Sequence, residues 1–392
     1  MQYLILVGLN MKVLIAPDKF KGALTAPEVA NAIQIGVKRA LPDAETLVFS
    51  MADGGEGTLD LLLKQTRGVR KKVRVPDPLM REVIATYGLL EPEGTAYIEM
   101  AQASGLLLLA PKEQNPLHTS TLGTGLLIRH AIEAGAKRLV VGIGGSATCD
   151  GGMGVAVALG WEFRDKSGNL LAPSGAALPH IAQVSAVNVP PTLRIIDMVV
   201  ACDVSNPLFG KNGAAQEYAP QKGASPEAVI QLDSGLRNLA NRLVQFGFGS
   251  DKTAFLPGSG AAGGLGFGLQ VFCGARLQSG TELLMQHSGI TGHFSHIDLL
   301  ITGEGKLDTQ SATGKVVGRL AEEAQKHGVP AIALCGTLAL LPEETQALGL
   351  TYAASVLSHP MQLEEALNQT AKLLTEHTTH LIQLFNAAKY GR

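Results

Sequence analysis

Glu304, Lys306, Asp308 and Lys315 fall in one stretch, residues 297–316, reading IDLLITGEGKLDTQSATGKV. Carboxylates beside lysines among glycines suit phosphate and a hard cation. Carboxylates hold Mg²⁺, lysines neutralise phosphate, and glycines let the backbone approach. The apolar run before Thr302 predicts a buried strand, and residues 302–308 read as a loop too rich in Gly and charge to continue it. Val316, Val317, Leu320 and Ala324 then recur at helical spacing. Strand, polar loop and helix together aim backbone N–H groups at an anion. The plainer alternative is a tight turn with solvated, capping charges.

Two further polar loops share this character. Residues 17–22 carry Asp18, Lys19 and Lys21, and residues 53–58 carry Asp53 and Glu56. Each follows a strand candidate, at 12–16 and 45–50, and the capping pattern Thr25-Ala26-Pro27-Glu28 opens a helix between them. With strands at 297–302, 331–335 and 352–357, this βα rhythm predicts one five-stranded parallel sheet. Ligands of such sheets bind outside the carboxyl ends of the strands, where all three loops fall. The first domain is therefore expected to be discontinuous, 1–78 and 287–392, with a mixed α/β domain inserted at 79–286. Within the insertion, 83–90 and 96–101 read as a hairpin, 138–143 and 195–201 as further strands, and 257–264 as a small-residue loop.

Composition narrows the function classes. A chain of 392 residues with 46% hydrophobic and 17% charged residues can bury large cores. A net charge of −2 without a basic stripe argues against nucleic acid. Cys149, Cys202, Cys273 and Cys335 are widely spaced, which argues against a zinc site or disulfide framework and fits a reducing cytoplasm. No apolar run reaches the ~18 residues of a membrane helix. Residues 1–10 make a poor signal peptide, and Met11 reads as the more natural start.

Rival motifs are weak. Gly314-Lys315-Val316 lacks the spacing and the Ser/Thr of a Walker loop. Gly258, Gly260 and Gly263 fit GxGxxG, but Pro257 precedes them and no clear ribose-binding acid follows at the right distance. Gly142, Gly144 and Ala147 fit GxGxxA, with Asp165 downstream as a ribose-binding acid, so an NAD-linked hydroxy-acid oxidoreductase is an alternative. Asp150-Gly151-Gly152 interrupts the helix that reading needs. A non-catalytic small-anion-binding protein is the other alternative. Ser146 lacks the GxSxG elbow of a hydrolase.

Long motifs recur in order: APDKFKGALTA (16–26), MADGGEGTLD (51–60), IEMAQASGL (98–106), TSTLGTGLLI (119–128), GIGGSATCDGGMG (142–154), CDVSNPLFG (202–210), PGSGAAGGLGFG (257–268) and TGEGKLDTQSATGKV (302–316). Together they resemble the bacterial class I glycerate kinases from Met11 to the C-terminus. The resemblance implies two α/β domains, one Rossmann/flavodoxin-like, with the active-site cleft expected between them. It also implies ATP-dependent phosphorylation of D-glycerate, usually at the 2-hydroxyl. Within those motifs, phosphoryl transfer assigns Mg²⁺ to Glu304 and Asp308. The nucleotide phosphates go to Gly303, Gly305, Gly314 and Lys315. Asp53 is the first choice of base or metal ligand and Asp203 the second, with Lys19 and Lys21 either binding the glycerate carboxylate or neutralising the transferring phosphoryl group. Asp18, Thr121, Thr124, Ser146 and Asn206 are the candidate acceptor contacts. A cytoplasmic enzyme acting on small molecules, with homo-oligomerisation compatible, is the resulting expectation.

Overall fold

Short aliphatic runs set the strands, and glycines and prolines end them. The computed structural model describes residues 11–51, 59, 63, 67–91, 94–308 and 316–390. Its strands are β1 (Lys12–Ile15), β2 (Glu45–Val48), β3 (Arg67–Pro76), β4 (Glu82–Glu91), β5 (Thr95–Glu99), β6 (Arg138–Gly142), β7 (Glu162–Arg164), β8 (Gln183–Ser185), β9 (Asp197–Ala201), β10 (Arg276–Gln278), β11 (Leu299–Leu307), β12 (Ala331–Leu338) and β13 (Tyr352–Ser355). Two compact units result, Met1–Asp53 with Leu284–Arg392, and Gly54–Leu283.

The first unit holds a parallel sheet in the order β13-β12-β11-β1-β2. Read from the other edge, this is the flavodoxin-like order, in which the chain first steps one way from β1 and later returns on its other side. Val13, Leu14 and Ile15 are fully buried, as a strand covered on both faces requires. The helix Ala26–Ala40 starts where Glu28 accepts hydrogen bonds from the Thr25 backbone N–H (2.8 Å) and hydroxyl (2.7 Å). It buries Val29, Ile33 and Val37 in the core that also receives Leu373 and Leu374 of the long helix Leu363–Tyr390.

The second unit is built on a six-stranded mixed sheet, β10-β9-β6-β5-β4-β3. β5, β6, β9 and β10 pair in parallel, and β4 pairs antiparallel with both β5 and β3, so the hairpin expected from 83–90 and 96–101 is present as β4–β5. The first boundary falls earlier than 78, because β3 pairs along its whole length with β4 and so belongs to this sheet.

Two local expectations are corrected. Residues 302–307 continue strand β11 rather than forming a loop. Their neighbour β12 runs equally far, so their backbone groups pair from Thr302↔Ala333 to Leu307↔Leu338. Partners for the backbone outweigh a Gly-rich, charged composition. Residues 257–264 also pass into the helix Ala261–Cys273, which opens with left-handed Ala262, Gly263 and Gly264.

Candidate active site

In a flavodoxin-like sheet the ligand crevice lies at the carboxyl ends of the two strands flanking the point where strand order reverses. Here those strands are β1 and β11. The β1 loop is drawn against β11 by three bonds. Ala16 N–H donates to Ile301 O (2.9 Å), Asp18 N–H donates to Gly303 O (2.8 Å), and the Thr302 hydroxyl donates to Ala16 O (2.8 Å). Asp18 Oδ1 then accepts from the Lys19 N–H (2.7 Å), and the chain turns back on itself between Phe20 and Leu24.

A cavity of about 430 Å³ opens there. Its lining from the β1 loop and β11 carries Asp18, Lys19, Lys21, Glu304, Gly305, Lys306 and Asp308, with Phe20 and Ala23 among them. Its aliphatic lining comes from Val356 and Leu357 beyond β13 and from Leu363, Ala366, Leu367 and Leu373 of the terminal helix. Thr370 also lines it, but its hydroxyl is turned back onto the Ala366 and Leu367 carbonyls (2.8 and 3.1 Å). Lys306 pairs with Asp308 (2.9 Å) while remaining well exposed. Burial pushes the Cys335 thiol up to about 12, with the Glu304 carboxylate adding to it, so the thiol is neutral beside this site.

Six of the residues expected to do chemistry thus line one cavity: Asp18, Lys19, Lys21, Glu304, Gly305 and Asp308. Gly303 is buried in β11, where its carbonyl serves Asp18. Asp53, Gly314 and Lys315 lie outside the described residues. No cluster of three or more metal-binding side chains is found among the described residues. Three carboxylates on a cavity with lysines still fit Mg²⁺, because that ion takes one or two carboxylates and completes its shell with phosphate and water.

The second unit presents its own rim, at the carboxyl ends of β6 and β9, which are in register at Gly142↔Ala201. Ser146 follows β6, and Asp203 and Asn206 follow β9. Asp203 Oδ1 accepts from the Gly280 N–H (3.1 Å). Asn206 accepts from the Tyr218 hydroxyl (2.6 Å) and donates to Asn212 O (2.9 Å). Thr121 and Thr124 are fully buried. The Thr121 hydroxyl donates to Asp150 Oδ2 (2.8 Å) and accepts from the Val155 N–H (3.0 Å), while Thr124 and Ser104 share a hydrogen bond (2.7 Å). Both hydroxyls bond inside the unit, Thr121 to the Asp150 turn and Thr124 to Ser104 and the Met100 carbonyl.

Sequence reasoning missed Asp150 and Lys222. Asp150 is fully buried and accepts from the Thr121 N–H and hydroxyl and from the N–H groups of Gly152 and Gly154. Burial pushes its carboxyl up, against those four bonds, which favour the ionised form. Lys222 is only 2% exposed and donates to Ser146 Oγ and Thr148 O, both at 2.7 Å. Burial pulls its ammonium down to about 8, against the pull of Cys149 and Asp150. A lysine in the run APQKGASP gives no sign of burial.

The GxGxxA reading fails on geometry. No helix opens at Ala147, and the nearest, Met153–Ala158, begins only after the Asp150 turn. A pyrophosphate would therefore lack the helix N-terminus that this fingerprint supplies.

Comparison with known proteins agrees with this architecture. The model of the glycerate kinase family matches residues 13–386, and the chain belongs to that family. Among its relatives, a glycerate kinase of Halalkalibacterium halodurans is 42% identical, over 93% of this chain and 95% of that one. The glycerate 2-kinase of Escherichia coli K12 is 40% identical, over 91% and 93%. The Salmonella typhimurium LT2 protein named glycerate kinase 2 has a crystal structure that matches with a TM-score of 0.82 at 39% identity, covering 97% of this chain and 99% of that one. No described helix is long and apolar enough to cross a membrane.

Proposed function

We propose that the chain transfers the terminal phosphoryl group of ATP to a hydroxyl of D-glycerate, with 2-phosphoglycerate the favoured product. The observation that carries this reading is the cavity at the β1/β11 crevice, which combines lysines and carboxylates with an aliphatic wall. A nucleotide calls for both kinds of lining. Its base and sugar suit the slot along Leu363, Ala366 and Leu367, and its phosphates suit Lys19, Lys21 and Lys306, with Lys315 added from the sequence.

In the transfer the bond from the terminal phosphorus to its bridging oxygen breaks, and a new bond forms to the glycerate oxygen. The hydroxyl proton passes to a carboxylate, with Asp53 the first choice and Asp203 the second. Lysines of the cavity offset charge on the moving group, which is where electrostatic preorganisation contributes most. Glu304 and Asp308, with Asp18 adjacent, would hold Mg²⁺, which when bound neutralises phosphate charge. Acceptor recognition falls to residues of the second unit, Ser146 foremost. A cytoplasmic location is part of the same reading.

A coupled assay for ADP release with D-glycerate tests the activity, and absence of glycerate-dependent ADP would sink it. NMR of the product reads the position of the phosphate, and a 3-phosphate would overturn the 2-hydroxyl assignment. Asp53→Asn should lower kcat by about 100-fold or more with the circular dichroism spectrum unchanged. Near-normal turnover removes Asp53 from the mechanism.

A further inference from the structure

Lys222 is buried without a carboxylate bonded to it, which is rare for lysine and calls for a reason. Its Nζ bonds only neutral oxygens among the described residues, Ser146 Oγ and Thr148 O. Asp150 is close enough to act on it electrostatically, but that carboxylate is spent on Thr121, Gly152 and Gly154. Lys222 therefore stands directly behind the loop that follows β6. Gly144 and Gly145, the outermost residues of that loop, are exposed, and Ser146 sits just beneath at 8% exposure. The Ser146 oxygen accepts from the ammonium, which leaves its own proton to donate. A hydroxyl polarised in this way is a stronger donor, and an anionic oxygen is its best acceptor.

We propose that Lys222 is a positioning residue for acceptor recognition: acting through Ser146, it makes the 144–146 loop the seat of the glycerate carboxylate. The assignment rests on the functional reading above and deepens it. A carboxylate and a phosphoryl group offer the same anionic oxygens. The carboxylate is the occupant chosen here because the cavity in the first unit already collects lysines suited to phosphate.

The ionisable groups near Lys222 are Cys149 and Asp150 on the β6 loop, with Asp233 of the helix Pro226–Gln245 acting on Cys149. The Cys149 thiol is pushed up to about 12 by burial and stays neutral. Loss of the Lys222 proton near pH 8 therefore removes the positive charge behind Ser146.

The test compares wild type, Lys222→Met and Ser146→Ala in steady-state kinetics from pH 6.5 to 9.5 at saturating ATP, with the ATP KM determined separately. The expected result is a D-glycerate KM raised about tenfold or more in both variants, with kcat and the ATP KM near wild type. The wild-type kcat/KM for glycerate should fall above about pH 8, and this fall should be absent in Lys222→Met. A wild-type glycerate KM in Lys222→Met with the alkaline fall retained overturns the proposal, whatever happens to thermal stability. A change confined to kcat or the ATP KM overturns the carboxylate assignment in favour of a phosphoryl contact. Should Lys222→Met not fold, Ser146→Ala decides, and an unchanged glycerate KM there overturns it. A wild-type enzyme that does not turn over glycerate would strike the functional reading itself.

Discussion

Lys222 also makes folding depend on pH, in the direction opposite to a lysine that gains a salt bridge. Its native proton affinity lies near 8 and its unfolded one near the ordinary 10.5. Between those values the unfolded chain binds more protons, so stability rises with pH across that window and is flat below it. At about 1.4 kcal/mol per pH unit this contribution amounts to about 3 kcal/mol in total. The urea midpoint of wild type, measured relative to Lys222→Met, should climb between pH 8 and 10.5, and parallel curves would show that the lysine ionises as in water. Asp150 works differently, as the acceptor that ties its own turn, through Gly152 and Gly154, to Thr121. Thr121→Val removes one bond to that carboxylate and one from Val155, and should cost about 1–3 kcal/mol in urea unfolding. Neither buried residue was legible in the sequence. A hydroxyl, a lysine or an aspartate looks the same in a motif whether it faces ligand or holds the loop that faces ligand.

Periodicity and punctuation carried the elements further than the residues. The runs at Lys12–Ile15 and 331–335 and the capping pattern at Thr25–Glu28 were readable because local chemistry decides them, although β12 itself runs on to Leu338. Strand β11 was readable only to Thr302. Its continuation depends on β12 being there to pair with it, a non-local fact that no window of sequence contains. The same pairing explains Gly303. A Cβ there would drive into the Leu334 carbonyl oxygen, which is backbone and cannot swing aside. Gly303→Ala should therefore push β11 from β12 and cost about 3 kcal/mol, read as a lower Tm. It should also disturb the bond from Asp18 N–H to Gly303 O, and with it the β1 loop that forms the cavity wall. A variant as stable as wild type would show that the ladder relaxes at this point.

At the scale of the whole molecule, the chain leaves the first sheet after β2 and rejoins it at β11, and the intervening residues build a sheet of their own. Each unit then offers a carboxyl-end rim with different chemistry. The first has lysines, carboxylates and an aliphatic slot, and the second has Ser146 over a buried lysine together with Asp203. That division predicts that substitutions in the two units act on different substrates. Ala366 is the cleanest probe of the first. It lies on the partly exposed face of the helix Leu363–Tyr390, lines the slot, and sits where a larger side chain obstructs a ligand without entering the core. Ala366→Trp should raise the nucleotide KM about tenfold or more, the equivalent of about 1.4 kcal/mol of lost binding, because the ring occupies space that the base or sugar would fill. The glycerate KM should stay within about twofold, since nothing in that helix belongs to the second unit. Steady-state kinetics with each substrate varied against saturating levels of the other separates the two. A rise in the glycerate KM with the nucleotide KM unchanged would reverse the assignment, placing the acceptor in the first unit and leaving the Gly144–Ser146 loop for the donor.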